Sequence, residues 1–230
     1  MRSYGAMRRR LYLMRHGAVS YFRSDGTPVD PDAVVLNEEG RTEAAAAREL
    51  LAAVTFDRVL TSGLARTKET AEIVAQSHAL EEWPELQELR GDRLSSIPPE
   101  ELESAFVHAF RGVVPNDKRF LGGETIGELF DRVLPAVERL LADETWDTAL
   151  AVLHGAVNRA ILSYALTGER MFLGHFEQAP ACVNVIDVGD GWPQNAIVRA
   201  VNIAPLDLLH ASTRLTTMEG YWEEFRAGSQ

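Results

Sequence analysis

Short apolar runs alternate with segments of helical spacing along most of this 230-residue chain. The apolar runs are Leu11–Met14, Val59–Thr61, Ala149–Leu153, Ala181–Val188 and Ala196–Ile203. Each run is short enough to be a buried strand, and strands that alternate with helices build a mainly parallel sheet. Such a sheet is covered by helices on both faces. The alternation therefore predicts an α/β fold, a three-layer sandwich around a mainly parallel sheet.

Four segments between the apolar runs have the spacing of helices: Asn37–Val54, Leu64–Gln76, Ile126–Leu141 and Ala156–Leu166. Asn37 is expected to cap the first helix, since its side chain can accept a bond from an unpaired N–H group. Thr125 and Glu128 have the spacing of a capping box at the start of the third. Pro135 should kink that helix or break it.

The chain shows no internal repeat, low-complexity tract or linker that would divide it, so residues 1–230 are expected to form a single domain. Residues 1–9 are expected to form a flexible extension. Residues 89–123 are rich in proline and glycine, which predicts a lid or a specificity insertion over a site.

The charge of the chain restricts its partners. With 34 acidic and 23 basic residues the formal net charge is −11, which argues against nucleic acid or an anionic membrane as a partner. An anionic ligand would need a local concentration of positive charge. The chain has no apolar run of about 18 residues that could span a membrane, and a cytoplasmic protein is expected. Its one cysteine, Cys182, excludes an internal disulfide and is expected to be a buried structural thiol.

Histidines follow two of the predicted strands. The first strand runs into Arg15–Gly17, which has His16 at its centre, and the third runs into His154–Gly155. The second strand opens into Ser62 and a helix whose first turn carries Arg66. Because ligands bind beyond the carboxyl ends of strands in open α/β sheets, these side chains are expected to meet at one edge.

This combination suits phosphoryl transfer. A neutral imidazole is a good nucleophile near neutral pH, and arginine holds phosphate oxygens through a planar fork of donors. Gly17 and Gly155 would let the backbone approach an anion closely, and the helix after Gly155 would add free N–H groups. Two other interpretations stay open. Arg66 could be a solvated arginine paired with Glu69 or Glu72, and His154 could be a hydrogen-bonded core histidine.

The chain resembles the histidine phosphatase superfamily, also called the phosphoglycerate mutase-like family. The resemblance covers about residues 10–190, and its motifs occur in family order. In chain order they are Leu13–Gly17, Leu36–Gly40, Thr61–Thr67 with Thr70–Ala71, Leu86–Leu89, Gly123–Thr125 and Val152–Gly155.

The resemblance implies a role for each matching residue. His16 would be the nucleophile and would pass through a phosphohistidine. Arg15, Arg66 and His154 would hold the phosphate, and His154 would also take part in catalysis. Glu88 would protonate the leaving oxygen and then activate water. No metal ion and no cofactor are expected, because arginine and histidine supply the positive charge.

Two points remain open within the resemblance. Glu85 and Asp92 lie close enough in sequence to be alternatives to Glu88 as the acid. Phe22 stands where many family members have an asparagine, so one phosphate contact is missing or supplied by Ser20 or Ser62. We count Ser62 and Gly155 among the predicted phosphate-binding residues.

The leading hypothesis is a metal-independent phosphatase that hydrolyses a small phosphomonoester. A cofactor-dependent phosphoglycerate mutase is the first alternative, although the motifs for phosphoglycerate are not visible between Glu88 and Gly123. A catalytically weak regulatory protein that binds a phosphorylated ligand is the second. The expected partner is a small phosphorylated metabolite, a homodimer is left open, and the substrate cannot be read from the sequence. The aromatic residues could line a substrate pocket, although core is the commoner fate; they are Tyr21, Phe22, Phe106, Phe110 and Phe120.

Overall fold

The structure, a computed structural model, describes residues 8–23, 27, 29–212 and 214–228. The strands are β1 (Arg9–Arg15), β2 (Arg58–Thr61), β3 (Leu80–Glu82), β4 (Val113–Val114), β5 (Thr148–Leu153), β6 (Phe172–Leu173), β7 (Val183–Val188) and β8 (Ala196–Ile203). The helices are α1 (Glu38–Leu50), α2 (Ala65–Ala75), α3 (Pro99–Val107), α4 (Ile126–Ala142), α5 (Gly155–Thr167) and α6 (Thr217–Gly228). Short 3₁₀ helices cover Pro84–Leu86 and Leu94–Ser96.

Six of the strands form one sheet in the order β3-β2-β5-β1-β7-β8. The strands β3, β2, β5 and β1 run parallel to their neighbours, whereas β7 is antiparallel to β1 and β8 is antiparallel to β7. The prediction of a mainly parallel sheet is confirmed. The short strands β4 and β6 pair with each other outside this sheet.

Helices cover both faces of the sheet, as predicted. Along β5, Leu150 and Val152 join a core cluster with residues of α1 and α2. The alternate residues Ala151 and Leu153 join a second cluster with residues of α4 and α5. Since successive side chains of a strand point to opposite faces, the two clusters lie on opposite sides of the sheet. All four side chains are almost fully buried.

The predicted helix starts are confirmed. The side chain of Asn37 accepts a hydrogen bond from the backbone N–H of Gly40 at 2.8 Å, which caps α1. Thr125 and Glu128 form the capping box of α4, each accepting from the other's backbone N–H. The first helix ends at Leu50 rather than at the predicted Val54.

Pro135 does not break α4, so that part of the prediction is wrong. The helix runs without interruption from Ile126 to Ala142. Pro135 is exposed, whereas Val133, Leu134 and Val137 beside it are buried. A proline inside a helix removes one backbone hydrogen bond. We attribute the continuity to the burial of the apolar face, whose gain offsets that loss.

Arg9 does not belong to a flexible extension, which corrects the predicted range 1–9. Arg9 is the first residue of β1, and its guanidinium donates to the backbone carbonyls of Leu141 and Asp143. The sheet therefore begins inside the range 1–9, of which residues 1–7 lie outside the described part. No helix among the described residues is long and apolar enough to cross a membrane. Cys182 is fully buried, and burial raises the pKa of its thiol to about 12.

Residues 89–123 contain α3, β4 and a 3₁₀ helix. Phe106 and Ala109 from this segment pack against Met218 of α6 and form a third apolar cluster. The segment therefore lies beside the C-terminal helix. The prediction that it acts as a lid stays a prediction.

Candidate active site

The residues that follow β1, β2 and β5 meet at one edge of the sheet. In the register of the strands Arg15 lies opposite Leu153, and Thr61 lies opposite Val152. The next residues along these strands are therefore neighbours. The ring centroids of His16 and His154 are 5.3 Å apart. We call Arg15, His16, Arg66 and His154 the Arg–His cluster.

His16 is almost fully buried, with an exposed fraction of 1%. Its Nδ1 lies 2.7 Å from the carbonyl oxygen of Gly17, which can only accept, so Nδ1 carries the proton. The lone pair is then on Nε2. Burial, followed by the positive charges of Arg66 and Arg15, lowers the pKa of His16 well below its usual value. The side chain is therefore held neutral, as a nucleophile must be.

His154 is fully buried and its Nε2 lies 2.8 Å from the hydroxyl of Ser62. The Ser62 hydroxyl also lies 3.1 Å from that of Thr67, which donates to the carbonyl of Leu64. Nδ1 of His154 is buried and has no hydrogen-bond partner in the described part of the chain. Burial, with the charges of Arg66 and then His16, lowers the pKa of His154 well below its usual value. The structure thus places the Ser62 hydroxyl on the imidazole, and its predicted phosphate contact stays a prediction.

Among the described residues, the groups that accept hydrogen bonds from Arg15 are all neutral. Its Nη1 donates to the carbonyl of Gln178 at 2.6 Å and to the hydroxyl of Thr217 at 2.9 Å. Its Nη2 donates to the hydroxyl of Tyr221 at 2.8 Å. Nε is buried and makes no hydrogen bond to any described residue.

Arg66, in the first turn of α2, is similarly buried. Its Nη1 donates to the carbonyl of Pro31 at 2.6 Å, and its buried Nε also lacks a partner among the described residues. Glu69, which the sequence offers as an ion-pair partner, instead pairs with Arg41 at 2.7 Å. Within the described ranges neither Arg15 nor Arg66 forms a salt bridge. Buried charges are usually paired, so the two guanidinium groups favour an anion as a ligand.

Two glycines permit close approaches at this edge, but to different neighbours. A Cβ atom at Gly155 would lie 3.1 Å from Nη1 of Arg159 and 3.7 Å from Nε of Arg15. Gly155 therefore lies beside the Arg–His cluster, and its predicted contact with a phosphate stays a prediction. A Cβ atom at Gly17 would instead collide with the backbone of Gly40 in α1. Packing against α1 thus requires a residue without a side chain at Gly17. The sequence alone did not indicate this contact.

Glu88 also lies beside Gly155. Its Oε2 lies 3.8 Å from the Cβ position of Gly155, and its carboxylate accepts from the backbone N–H groups of Leu89 at 2.9 Å and Ala156 at 3.2 Å. Arg132 of α4 holds the segment by donating to the carbonyl of Glu88 at 3.0 Å.

The two alternatives to Glu88 differ in their surroundings. Glu85 forms an ion pair with Arg139 at 2.8 Å on a partly exposed surface. Asp92 lines the same cavity as Glu88, but its carboxylate accepts from the backbone N–H of Arg93. Of the three carboxylates, only Glu88 is bonded to the start of α5.

A family model of the histidine phosphatase superfamily (branch 1) matches residues 11–200. The chain belongs to the histidine phosphatase superfamily. This match includes all four residues of the Arg–His cluster.

Several named proteins of this histidine phosphatase type are similar to the chain. The adenosylcobalamin/alpha-ribazole phosphatase of Salmonella typhimurium is 29% identical over 196 residues, which cover 80% of this chain and 92% of that protein. The 2-carboxy-D-arabinitol-1-phosphatase of Triticum aestivum is 26% identical over 226 residues, or 89% of this chain and 43% of that protein. The chain thus spans less than half the length of the plant relatives it matches. The crystal structure of the alpha-ribazole phosphatase from Shigella flexneri superposes with a TM-score of 0.66 at 25% identity, covering 84% of this chain and 96% of that one.

Sequence reasoning missed the contribution of α6 to this histidine phosphatase site. Thr217 and Tyr221 lie one turn apart on that helix and both bind Arg15. Thr216 and Glu219 exchange hydrogen bonds in the manner of a capping box just before and within it. That spacing is present in the sequence and could have located the helix. Its contact with Arg15 depends on the fold and has no local signal.

Arg159 of α5 is a second missed residue. Arg159 is 4% exposed. Its guanidinium donates to the carbonyl of Gly174 at 3.2 Å and pairs with Glu177 at 3.3 Å. It also lies 4.9 Å from the ring centroid of Phe110. Glu177 in turn accepts from the hydroxyl of Thr217 at 2.7 Å. An ion pair therefore connects α5 to the start of α6, next to Gly155.

A cavity of about 790 Å³ lies beside the Arg–His cluster, whose two histidines are not among its lining residues. Arg15 and Arg66 lie in its wall, as do Glu88, Gly155 and Arg159. The cavity wall includes all five aromatic residues that the sequence assigned either to a substrate pocket or to the core; they are Tyr21, Phe22, Phe106, Phe110 and Phe120.

Proposed function

We propose that the chain is a phosphatase that hydrolyses a small phosphomonoester through a phosphohistidine on His16, without a metal ion. The observation that carries the proposal is the pair of buried guanidinium groups, Arg15 and Arg66, which have no carboxylate partner in the described residues and flank two imidazoles. Such a group of donors stabilises the charge on a transferring phosphoryl group.

In the first step Nε2 of His16 attacks phosphorus and the bond from phosphorus to the leaving oxygen breaks. The leaving oxygen takes a proton from Glu88. The free Nε atoms of Arg15 and Arg66 donate to the oxygens of the phosphoryl group. The ring of His154 lies 5.3 Å from that of His16, and its Nδ1 has no partner among the described residues.

In the second step water attacks the phosphohistidine. Glu88, now a carboxylate, accepts a proton from that water, and the bond between phosphorus and His16 breaks. Phosphate leaves and His16 returns to its neutral form. The carboxylate of Glu88 is held by Leu89 and Ala156, so the same group can serve both steps.

The names of the relatives support a phosphatase over a mutase. The compared proteins from wheat, Salmonella and Shigella are named as phosphatases, while one further relative is named a probable phosphoglycerate mutase. We propose a small phosphorylated metabolite as the substrate. The same phosphatase activity is also only proposed for any longer protein that contains this chain.

The test is phosphate release from a panel of phosphomonoesters by the purified chain. We expect turnover that a chelator does not change, an acid-labile phosphoenzyme, and a loss on the order of 10⁶-fold in His16→Ala, as for removal of a nucleophile. His108→Ala is the matched control, because His108 is exposed and lies outside the cavity wall. That variant should retain the parent rate.

Three results would point elsewhere. Loss of activity with chelator and recovery with a divalent ion would contradict the histidine mechanism. Isomerisation of 3-phosphoglycerate that requires 2,3-bisphosphoglycerate would identify a mutase. Tight binding of phosphate esters without turnover would favour a regulatory protein.

A further inference from the structure

The cavity beside the Arg–His cluster is much larger than a phosphate group and mostly apolar beyond it. Its volume is about 790 Å³, well within the range of pockets that enclose a whole organic ligand. Arg15 and Arg66 lie in its wall. The wall also carries a set of apolar side chains: Phe22, Phe106, Phe110, Phe120, Leu121 and Met218.

The aromatic part of this wall is fixed by packing. The rings of Phe110 and Phe120 are stacked, with centroids 5.5 Å apart and an angle of 2° between their planes. Phe110 also contacts Phe172, which is fully buried, at 5.6 Å. A ligand ring that packs here meets a surface that already has its bound form, so little ordering free energy is lost on binding.

The charge nearest to this wall is neutralised. Arg159 lies over the ring of Phe110, but its guanidinium is paired with Glu177 and bonded to the carbonyl of Gly174. Arg90 and Arg93 also line the cavity without a salt bridge among the described residues, but both are exposed. The buried positive charge that lacks a salt bridge is therefore that of Arg15 and Arg66. The cavity is thus built for a ligand with one anionic end and an apolar body.

We infer that the substrate is a phosphomonoester of a bulky, apolar alcohol, with an aromatic ring that packs against Phe110 and Phe120. This inference rests on the phosphatase function proposed above. A polyol phosphate or a phosphorylated hydroxy acid would leave the aromatic wall in contact with polar groups. Each methylene that the cavity removes from water should strengthen binding about fourfold.

The test compares phosphates of primary alcohols, whose leaving groups have similar basicity, so that differences report on the cavity. We expect kcat/KM to rise at least tenfold from ethyl phosphate to 3-phenylpropyl phosphate. Butyl phosphate should fall between them. Equal values along this series would overturn the inference, as would faster turnover of glycerol 3-phosphate or 3-phosphoglycerate than of 3-phenylpropyl phosphate.

Binding of the matching phosphonates separates this inference from the proposed function. Calorimetry should give at least tenfold tighter binding of 3-phenylpropylphosphonate than of ethylphosphonate, with a negative heat-capacity change. That preference without turnover of any ester would support the apolar cavity and contradict the phosphatase. Turnover of the esters without a preference between the two phosphonates would support the phosphatase and contradict the apolar cavity.

Variants test the wall directly. Phe120→Ala should reduce the ratio of the two phosphonate affinities at least threefold, and Phe120→Leu, which keeps more of the packing, should reduce it less. Leu209→Ala is the control, since Leu209 is 90% exposed and outside the cavity wall. An unchanged ratio in folded Phe120→Ala or Phe120→Leu protein would overturn the assignment of the wall.

Discussion

At the scale of single residues, hydrogen bonds decide which nitrogen of each imidazole can act. The carbonyl of Gly17 accepts from Nδ1 of His16 and leaves the lone pair on Nε2. In His154 the bond to Ser62 uses Nε2 and leaves Nδ1 free. The two rings are thus engaged through opposite nitrogens, which leaves Nε2 of His16 and Nδ1 of His154 without a partner among the described residues.

This arrangement predicts the protonation of His16 in the free protein. Its pKa is lowered, chiefly by burial, so the ring should remain neutral at pH 6, where an unperturbed histidine of pKa about 6.5 is about three-quarters protonated. Nitrogen-15 NMR of labelled protein should show the Nδ1–H tautomer of His16 from pH 7.5 down to 6.

The signals of His16 are assigned by their loss in His16→Gln. A protonation midpoint near 6.5, or a proton on Nε2, would contradict the geometry and remove the reason for expecting a nucleophile at neutral pH. The spectra are recorded without phosphate, because a bound anion favours the charged imidazole.

At the scale of elements, the C-terminal helix completes the site. Thr217 and Tyr221 are four residues apart and so lie on one face of α6, from which both bind Arg15. The ring of Tyr221 packs edge-on against Tyr21 at 5.0 Å. With its Nη atoms held by α6 and Gln178, Arg15 has Nε left for a ligand.

Removing one of these bonds should weaken the binding of phosphate. Tyr221→Phe keeps the aromatic contact and loses only the hydroxyl, and a hydrogen bond to a charged group contributes about 1.5–3 kcal/mol. We expect the inhibition constant of inorganic phosphate to rise, and kcat/KM to fall, by about tenfold or more. A merely structural role would lower thermal stability without changing either constant.

Tyr164→Phe is the matched control for this change. Tyr164 packs on Trp192 and lies outside the cavity wall. Equal phosphate inhibition of the parent, Tyr164→Phe and Tyr221→Phe would show that α6 does not position Arg15.

The sequence predicted the elements whose position follows from neighbours along the chain. Each histidine of the site comes directly after a buried strand, so parallel pairing of β1 and β5 is enough to bring them together. Tyr221 lies 206 residues from its partner Arg15. Its role depends on how α6 packs against the sheet edge, which no local pattern encodes. The same holds for Gly17, whose neighbour in space is Gly40.

At the scale of the whole molecule, the site is a locally positive region in a protein of net charge −11. Besides Glu88, a second carboxylate lies close to it without forming a salt bridge among the described residues. Glu43 of α1 accepts from the backbone N–H of Ala18 at 2.7 Å, just after His16. Burial, supported by the charge of Glu39, raises the pKa of Glu43 to about 7, although that hydrogen bond and Arg15 act in the opposite direction.

This carboxyl group should make stability depend on pH. Between about pH 4.5 and 7 the folded protein holds a proton on Glu43 that the unfolded chain has released, so its contribution to the free energy of unfolding falls as pH rises. The largest loss is about 3 kcal/mol, complete above pH 7. His16 and His154 act in the opposite sense, because their lowered pKa values make stability rise with pH.

The contribution of Glu43 is isolated by comparison with Glu43→Gln, which resembles the protonated form at every pH. The two histidines are common to both proteins, so the free energy of unfolding of the variant minus that of the parent should increase from pH 4.5 to 7 and then stay level. Urea unfolding at intervals of one pH unit measures this difference. Glu72→Gln, at an exposed position of α2, should follow the parent in parallel at every pH. If Glu43→Gln did so too, Glu43 would be ionised throughout, and the loop after His16 would be held by a carboxylate rather than by a neutral acid.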